Sequence, residues 1–129
     1  MILPVTLCLA AAAALVNIWL GSRTGKLRGV HKISVGDGGN EQLLRRMRAQ
    51  SNFIEQTPLA LALVAAVELA GKGGQWLAPA AGVFILGRIA HGIGMDGNFN
   101  AGRGIGMLTS MLFQLALAVV AVLTVLGKI

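Results

Sequence analysis

The chain has 129 residues, of which 55% are hydrophobic and only 12% charged, and its mean hydropathy is +0.73. A soluble domain of this size cannot cover so much apolar surface, whereas a bilayer removes that cost if the backbone satisfies itself in helices or a closed barrel. The apolar runs are continuous rather than alternating, which argues against a barrel, and the net charge of +6 comes with no tyrosine and no nucleic-acid motif, which argues against nucleic acid as a partner.

No charged side chain occurs from Met1 to Ser22, a run long enough for a helix to cross a hydrocarbon core. Arg23, Lys26 and Arg28 follow this run, whereas a cleaved signal peptide places its basic residues first, so a retained span is expected. Cys8 lies inside the run as the single cysteine, which excludes an intramolecular disulfide and a cysteine-based metal site; no metal ligand set is expected.

Seven basic residues (Arg23, Lys26, Arg28, Lys32, Arg45, Arg46, Arg48) stand against two acidic ones (Asp37, Glu41) between positions 23 and 48, which is five of the six net charges. The positive-inside rule puts this segment in the cytoplasm. Gly36-Asp37-Gly38-Gly39 reads as a turn, since it lacks the ending and the preceding strand of a phosphate-binding loop. Asn40 before Glu41 suits the start of a second helix, through a side-chain cap and negative charge at its N-terminus.

That helix is expected to run to about Ala70, with Gly71-Lys72-Gly73-Gly74 as its stop and Glu68 as a solvated end residue. A third span follows over 75–95, a second loop holds Asp96 to Arg103, and 104–127 is a fourth charge-free run. The expected fold is an all-α integral membrane protein: one domain, 1–129, forming a four-transmembrane-helix bundle with spans near 1–22, 41–70, 75–95 and 104–127. Both termini then lie outside. Gly82, Gly87, Gly92 and Gly94 are read as sites of close helix contact, and Met95, Met107 and Met111 as packing residues.

Charged side chains within membrane segments are costly and mark a site or a structural pair. Arg48, Asn52 and Glu55 recur at i, i+4, i+7 and share one face of helix 2; Arg88 and His91, at i, i+3, share one face of helix 3 at similar depth. With Arg103 before helix 4, these residues can line a pocket for a small polyanion. The competing reading has the arginines snorkelling to the interface and Glu55 paired with one of them to hold helices in register. His91 by itself reads as a hydrogen-bonded interior residue rather than a metal ligand.

The block Arg48-Ala49-Gln50-Ser51-Asn52-Phe53-Ile54-Glu55-Gln56-Thr57-Pro58 resembles the Arg-Ala-x-x-Asn-x-x-Glu-x-x-Pro block of the MAPEG family, the membrane-associated proteins of eicosanoid and glutathione metabolism. Gly87-Arg88-Ile89-Ala90-His91 is similar to the family's helix 3 block, and Gly36 to Gly39 resembles bacterial members. The resemblance spans nearly the whole chain. It implies a homotrimer with glutathione bound between subunits near the cytoplasmic face, in a bacterial inner membrane. Position by position it implies that Arg48, Asn52, Glu55 and His91 contact glutathione, that Arg88 supports the site, and that Arg103 stands near the sulfur as the catalytic residue.

A guanidinium beside a thiol favours the thiolate, which then attacks a lipophilic electrophile or reduces a hydroperoxide. The expected function is therefore that of a glutathione transferase or glutathione-dependent peroxidase acting on lipophilic small molecules in membrane lipid. The sequence departs from the family at its tyrosines: Gln56, Met95, Gly104 and Met107 stand where active relatives place hydroxyl-bearing residues. That departure favours the alternative of a non-catalytic lipid-binding or scaffold protein. A small multidrug exporter ranks last, because its essential carboxylate belongs in a first span that here has none.

Overall fold

The computed structural model describes residues 1–129 as four helices: α1 (Pro4–His31), α2 (Glu41–Leu69), α3 (Leu77–Met95) and α4 (Asn100–Val125). Each is long and apolar enough to cross a membrane, and no strand is present. Packing is closest between α3 and α4 and between α1 and α2; α1 and α4 do not meet. Only 26 of 129 residues are buried, while Leu15, Ile18, Leu86, Leu115 and Val122 point outward, so most of the apolar surface faces the surroundings, as a bilayer-embedded bundle requires.

α1 continues nine residues past the charge-free run, because its buried face continues through Thr24 and Leu27. It stops at Lys32, which adopts a left-handed conformation (φ 53°) and donates its N–H to the Arg28 carbonyl. The connection to α2 is therefore only 32–40, and the basic residues ride mostly on helical ends rather than in a loop. Arg28 Nη1 binds the carbonyls of Ile33 (3.3 Å) and Gly36 (2.8 Å), closing this turn. Asn40 Oδ1 accepts the N–H of Leu43 at 2.9 Å and caps α2.

At the opposite end, Glu68 is not the solvated end residue that the sequence suggests. Its carboxylate accepts the backbone N–H groups of Val5 and Thr6, both at 2.9 Å, and the Thr6 hydroxyl at 2.7 Å. The cause is local: α1 begins with Pro4 after Leu3, which has no capping side chain, so the first free N–H groups take an acceptor from α2. The adjoining core is apolar, with Phe84 and Phe113 stacked at 5.0 Å among Leu9, Val64, Leu77 and Leu117.

Glycine sets the separation of α3 and α4. A Cβ on Gly106 would collide with His91 Cβ and the Gly87 carbonyl, and one on Gly102 with the Ala90 carbonyl. Gly87, Gly92 and Gly94 are tightly packed as expected, against Thr109, against Trp19 and Leu20, and against Arg103 and Phe99 respectively. Gly82 differs, since the space where its side chain would stand is open.

Candidate functional site

α2 supplies the polar stripe. Ala49, Phe53 and Thr57 face inward and are buried, which turns Arg48 and Glu55 outward and leaves Asn52 half-buried at the edge facing α3 and α4. α3 buries Arg88 and His91, at 1% and 3% exposure, and Arg103 is exposed in the first turn of α4 rather than in the loop before it.

Three helices meet at Arg88. Its Nη2 donates to Asn52 Oδ1 on α2, and its Nη1 donates to Ser110 Oγ (2.7 Å) and to the Gly106 carbonyl (3.5 Å) on α4. No carboxylate pairs with this buried cation, and its Nε has no acceptor. His91 lies one turn further along the same face, packed against the missing side chain of Gly106. Asn52 Nδ2 also approaches Met107 Sδ at 3.8 Å.

Of the six residues singled out in the sequence, the structure thus joins Asn52 to Arg88 and places His91 beside them. Arg48, Glu55 and Arg103 form no intramolecular ion pair. An arginine partner holding Glu55 for helix registration is therefore absent within the protomer. A groove of about 480 Å³ runs beside the node, lined by Gln56, Gly104, Met107, Leu108, Met111 and Gln114. Gln114 donates to Gln56 Oε1 at 2.7 Å across it. Met107 and Met111 face this groove and are exposed, so packing alone does not describe them.

Two polar clusters escaped sequence reasoning. Ser110 sits 22 positions from Arg88, a separation without local periodicity. Asp96, only 5% exposed in its side chain, pairs with both Arg23 and Arg46; Arg46 Nε lies at 3.2 Å, and Arg23 also lies 4.7 Å over the Trp19 ring. This triad fastens the α3–α4 turn to α1 and α2. The visible signal was a lone carboxylate in the second loop of a basic chain.

Chemically, the arrangement offers two outward cations and an outward carboxylate beside a buried cation, all in a region continuous with apolar helix surface. The MAPEG family model matches residues 6–123 of this chain. The chain belongs to the MAPEG family. It is 28% identical over 99 residues to the inner membrane protein YecN of Escherichia coli strain K12, covering 76% of this chain and 75% of that protein, and equally to YecN of Escherichia coli O6:H1. Family membership supports a membrane function related to glutathione at the level of the family.

Proposed function

We propose that the protein binds glutathione at the Arg48–Asn52–Glu55 stripe and acts as a glutathione transferase or glutathione-dependent peroxidase on lipophilic electrophiles, as a homotrimer. The observation that carries this reading is the exposure of Arg48 and Glu55 without any partner, within a membrane bundle. Unpaired charges on a span need a counter-charge. Glutathione carries two carboxylates and one ammonium, which fit Arg48, Arg103 and Glu55 in sign, and a neighbouring protomer would cover the same face.

Bound there, glutathione supplies a sulfur nucleophile toward carbon or peroxide oxygen. Arg103 holds negative charge at that sulfur and raises the share of thiolate at neutral pH. Asn52, pinned by Arg88, presents its amide at a fixed position, and buried Arg88 adds a positive field that no nearby carboxylate cancels. The Met107–Leu108–Met111 groove gives the apolar substrate a seat next to Arg103. The relatives described as inner membrane proteins, together with the positive-inside rule, support an inner-membrane location with the Arg48 end cytoplasmic and both termini outside.

A non-catalytic lipid-binding or scaffold role is the second reading, favoured by the Gln56–Gln114 hydrogen bond, which occupies a position where active relatives offer a hydroxyl. Calorimetry of glutathione binding to purified wild type and Arg48→Ala separates the two. The expected result is saturable binding weakened about tenfold or more by the substitution, as for a lost charge-assisted hydrogen bond. Absence of binding by folded wild type would refute the glutathione reading and leave the scaffold.

A further inference from the structure

A cleft of about 320 Å³ opens between α1 and α3 at the end of the bundle where both helices begin. Pro4, Cys8 and Ala12 line it from α1 and Ala78, Gly82 and Ile85 from α3, while the buried core residues Leu9 and Ala81 form its floor. It stays open because the facing side chains are short: a Cβ on Gly82 would meet nothing within 4 Å. Leu15, Leu86, Leu115 and Val122 point outward elsewhere, so those faces carry ridges where this one is hollow.

Its place in the fold separates it from the polar stripe. The helices meet in the circular order α1–α2–α4–α3, with α2 and α3 also touching across the middle. Gln56 and the Met107–Met111 groove lie where α2 meets α4, whereas the cleft lies on the opposite side of the ring. A protomer covering the Arg48 face would therefore leave it facing lipid.

The lining suits only hydrocarbon. Among its side chains the Cys8 thiol is the one heteroatom, Pro4 has no N–H, and the N–H groups of Val5 and Thr6 are taken by Glu68. An apolar hollow of this kind stays dry, and left empty it forfeits dispersion contacts along its walls. A water occupies about 30 Å³ of liquid and a methylene group is of similar size, so the space takes about ten carbons of chain. From Pro4 to Ala12 the helical rise makes the cleft about 12 Å long.

The mouth lies at headgroup level, marked by Trp76, which is exposed just before α3 and donates its Nε1–H to the Lys72 carbonyl at 3.2 Å. Charge at this end suits a phosphate. Glu68, the one acidic side chain here, is spent on α1, so Lys72 in the α2–α3 turn has no acidic partner.

We propose that the α1–α3 cleft holds one acyl chain of a phospholipid, drawn from the leaflet at the Pro4 end, with its headgroup level with Lys72 and Trp76. The site shares no residue with the glutathione reading and goes beyond it.

The protein is reconstituted in phosphatidylcholine vesicles containing a minor fraction of phosphatidylcholine with a photoactivatable diazirine in one acyl chain, and the adducts are located by peptide mass spectrometry. Residues Cys8, Ala12 and Gly82 should be labelled several-fold more than Val119 and Val122, which face outward at the same end of α4. Gly82→Leu and Ala12→Leu, which fill the cleft from either wall, should each cut its labelling several-fold and leave Val119 and Val122 unchanged. Val83→Leu, which adds bulk to the exposed surface of α3 one residue away, should label like wild type. Circular dichroism establishes that each variant compared is folded.

Equal labelling of the cleft and of Val119 and Val122, filled variants that label like wild type, or an equal loss in Val83→Leu would overturn the proposal. Efficient oxidative cross-linking of Cys8 between protomers in the same vesicles would overturn it too, by seating a second copy in the cleft. Selective labelling in a wild type that binds no glutathione would uphold this site while ending the glutathione reading.

Discussion

The candidate site residues, those of the two family blocks together with Arg103, divide into an inward and an outward half. Arg88 and His91 are buried, and Arg88 is spent on neutral acceptors from α2 and α4, whereas Arg48, Glu55 and Arg103 face outward with no intramolecular ion pair. Residues of similar chemistry at similar depth therefore do different work. The inward half fixes the spacing and register of three helices; the outward half has chemistry available for something beyond the protomer. The Asp96 triad sharpens the point, because there a buried carboxylate is answered by two arginines, while Arg88 has none.

The comparison breaks most severely at Gly106. Gly106→Ala should destabilise the bundle by about 3 kcal/mol, since the added carbon overlaps His91 and the Gly87 backbone with no flexible atom to yield. Thermal unfolding in detergent would show it, with Gly82→Ala as the control that should leave the midpoint near wild type, its side chain entering open space. Equal behaviour of the two variants would mean that α3 and α4 are not held at this separation.

Arg88→Ala should cost about 2 kcal/mol by the same measurement, because Ser110 and Asn52 lose their donor and a large buried side chain is removed. It should weaken glutathione binding as well, by releasing Asn52. A variant as stable as wild type would remove Arg88 from the structural half. Arg48→Ala and Glu55→Gln define the small end of the scale: their unfolding midpoints should match wild type while glutathione binding falls. A marked drop in either midpoint would show that these charges hold the assembly together before they hold a ligand.

Much of this was legible along the chain. Helical periodicity put Arg48, Asn52 and Glu55 on one face, and Arg88 with His91 on another, because i, i+3, i+4 and i+7 relations follow from 3.6 residues per turn. The pairing of Arg88 with Ser110, of Glu68 with the start of α1, and of Asp96 with Arg23 and Arg46 was not legible, since each joins residues at least 22 positions apart. The extension of α1 to His31 was hidden for another reason: charge-free length measures what the bilayer requires of a segment, not where its helical hydrogen bonds stop.

By itself the sequence determined that the chain forms apolar helices and which residues carry unusual charge, because hydropathy and helical period are local properties. Only the tertiary structure decided which of those charges are consumed and which are left over. That choice depends on the rotation of each helix about its axis and on the approach of α3 to α4, both of which are set by glycines and small side chains packing across the bundle.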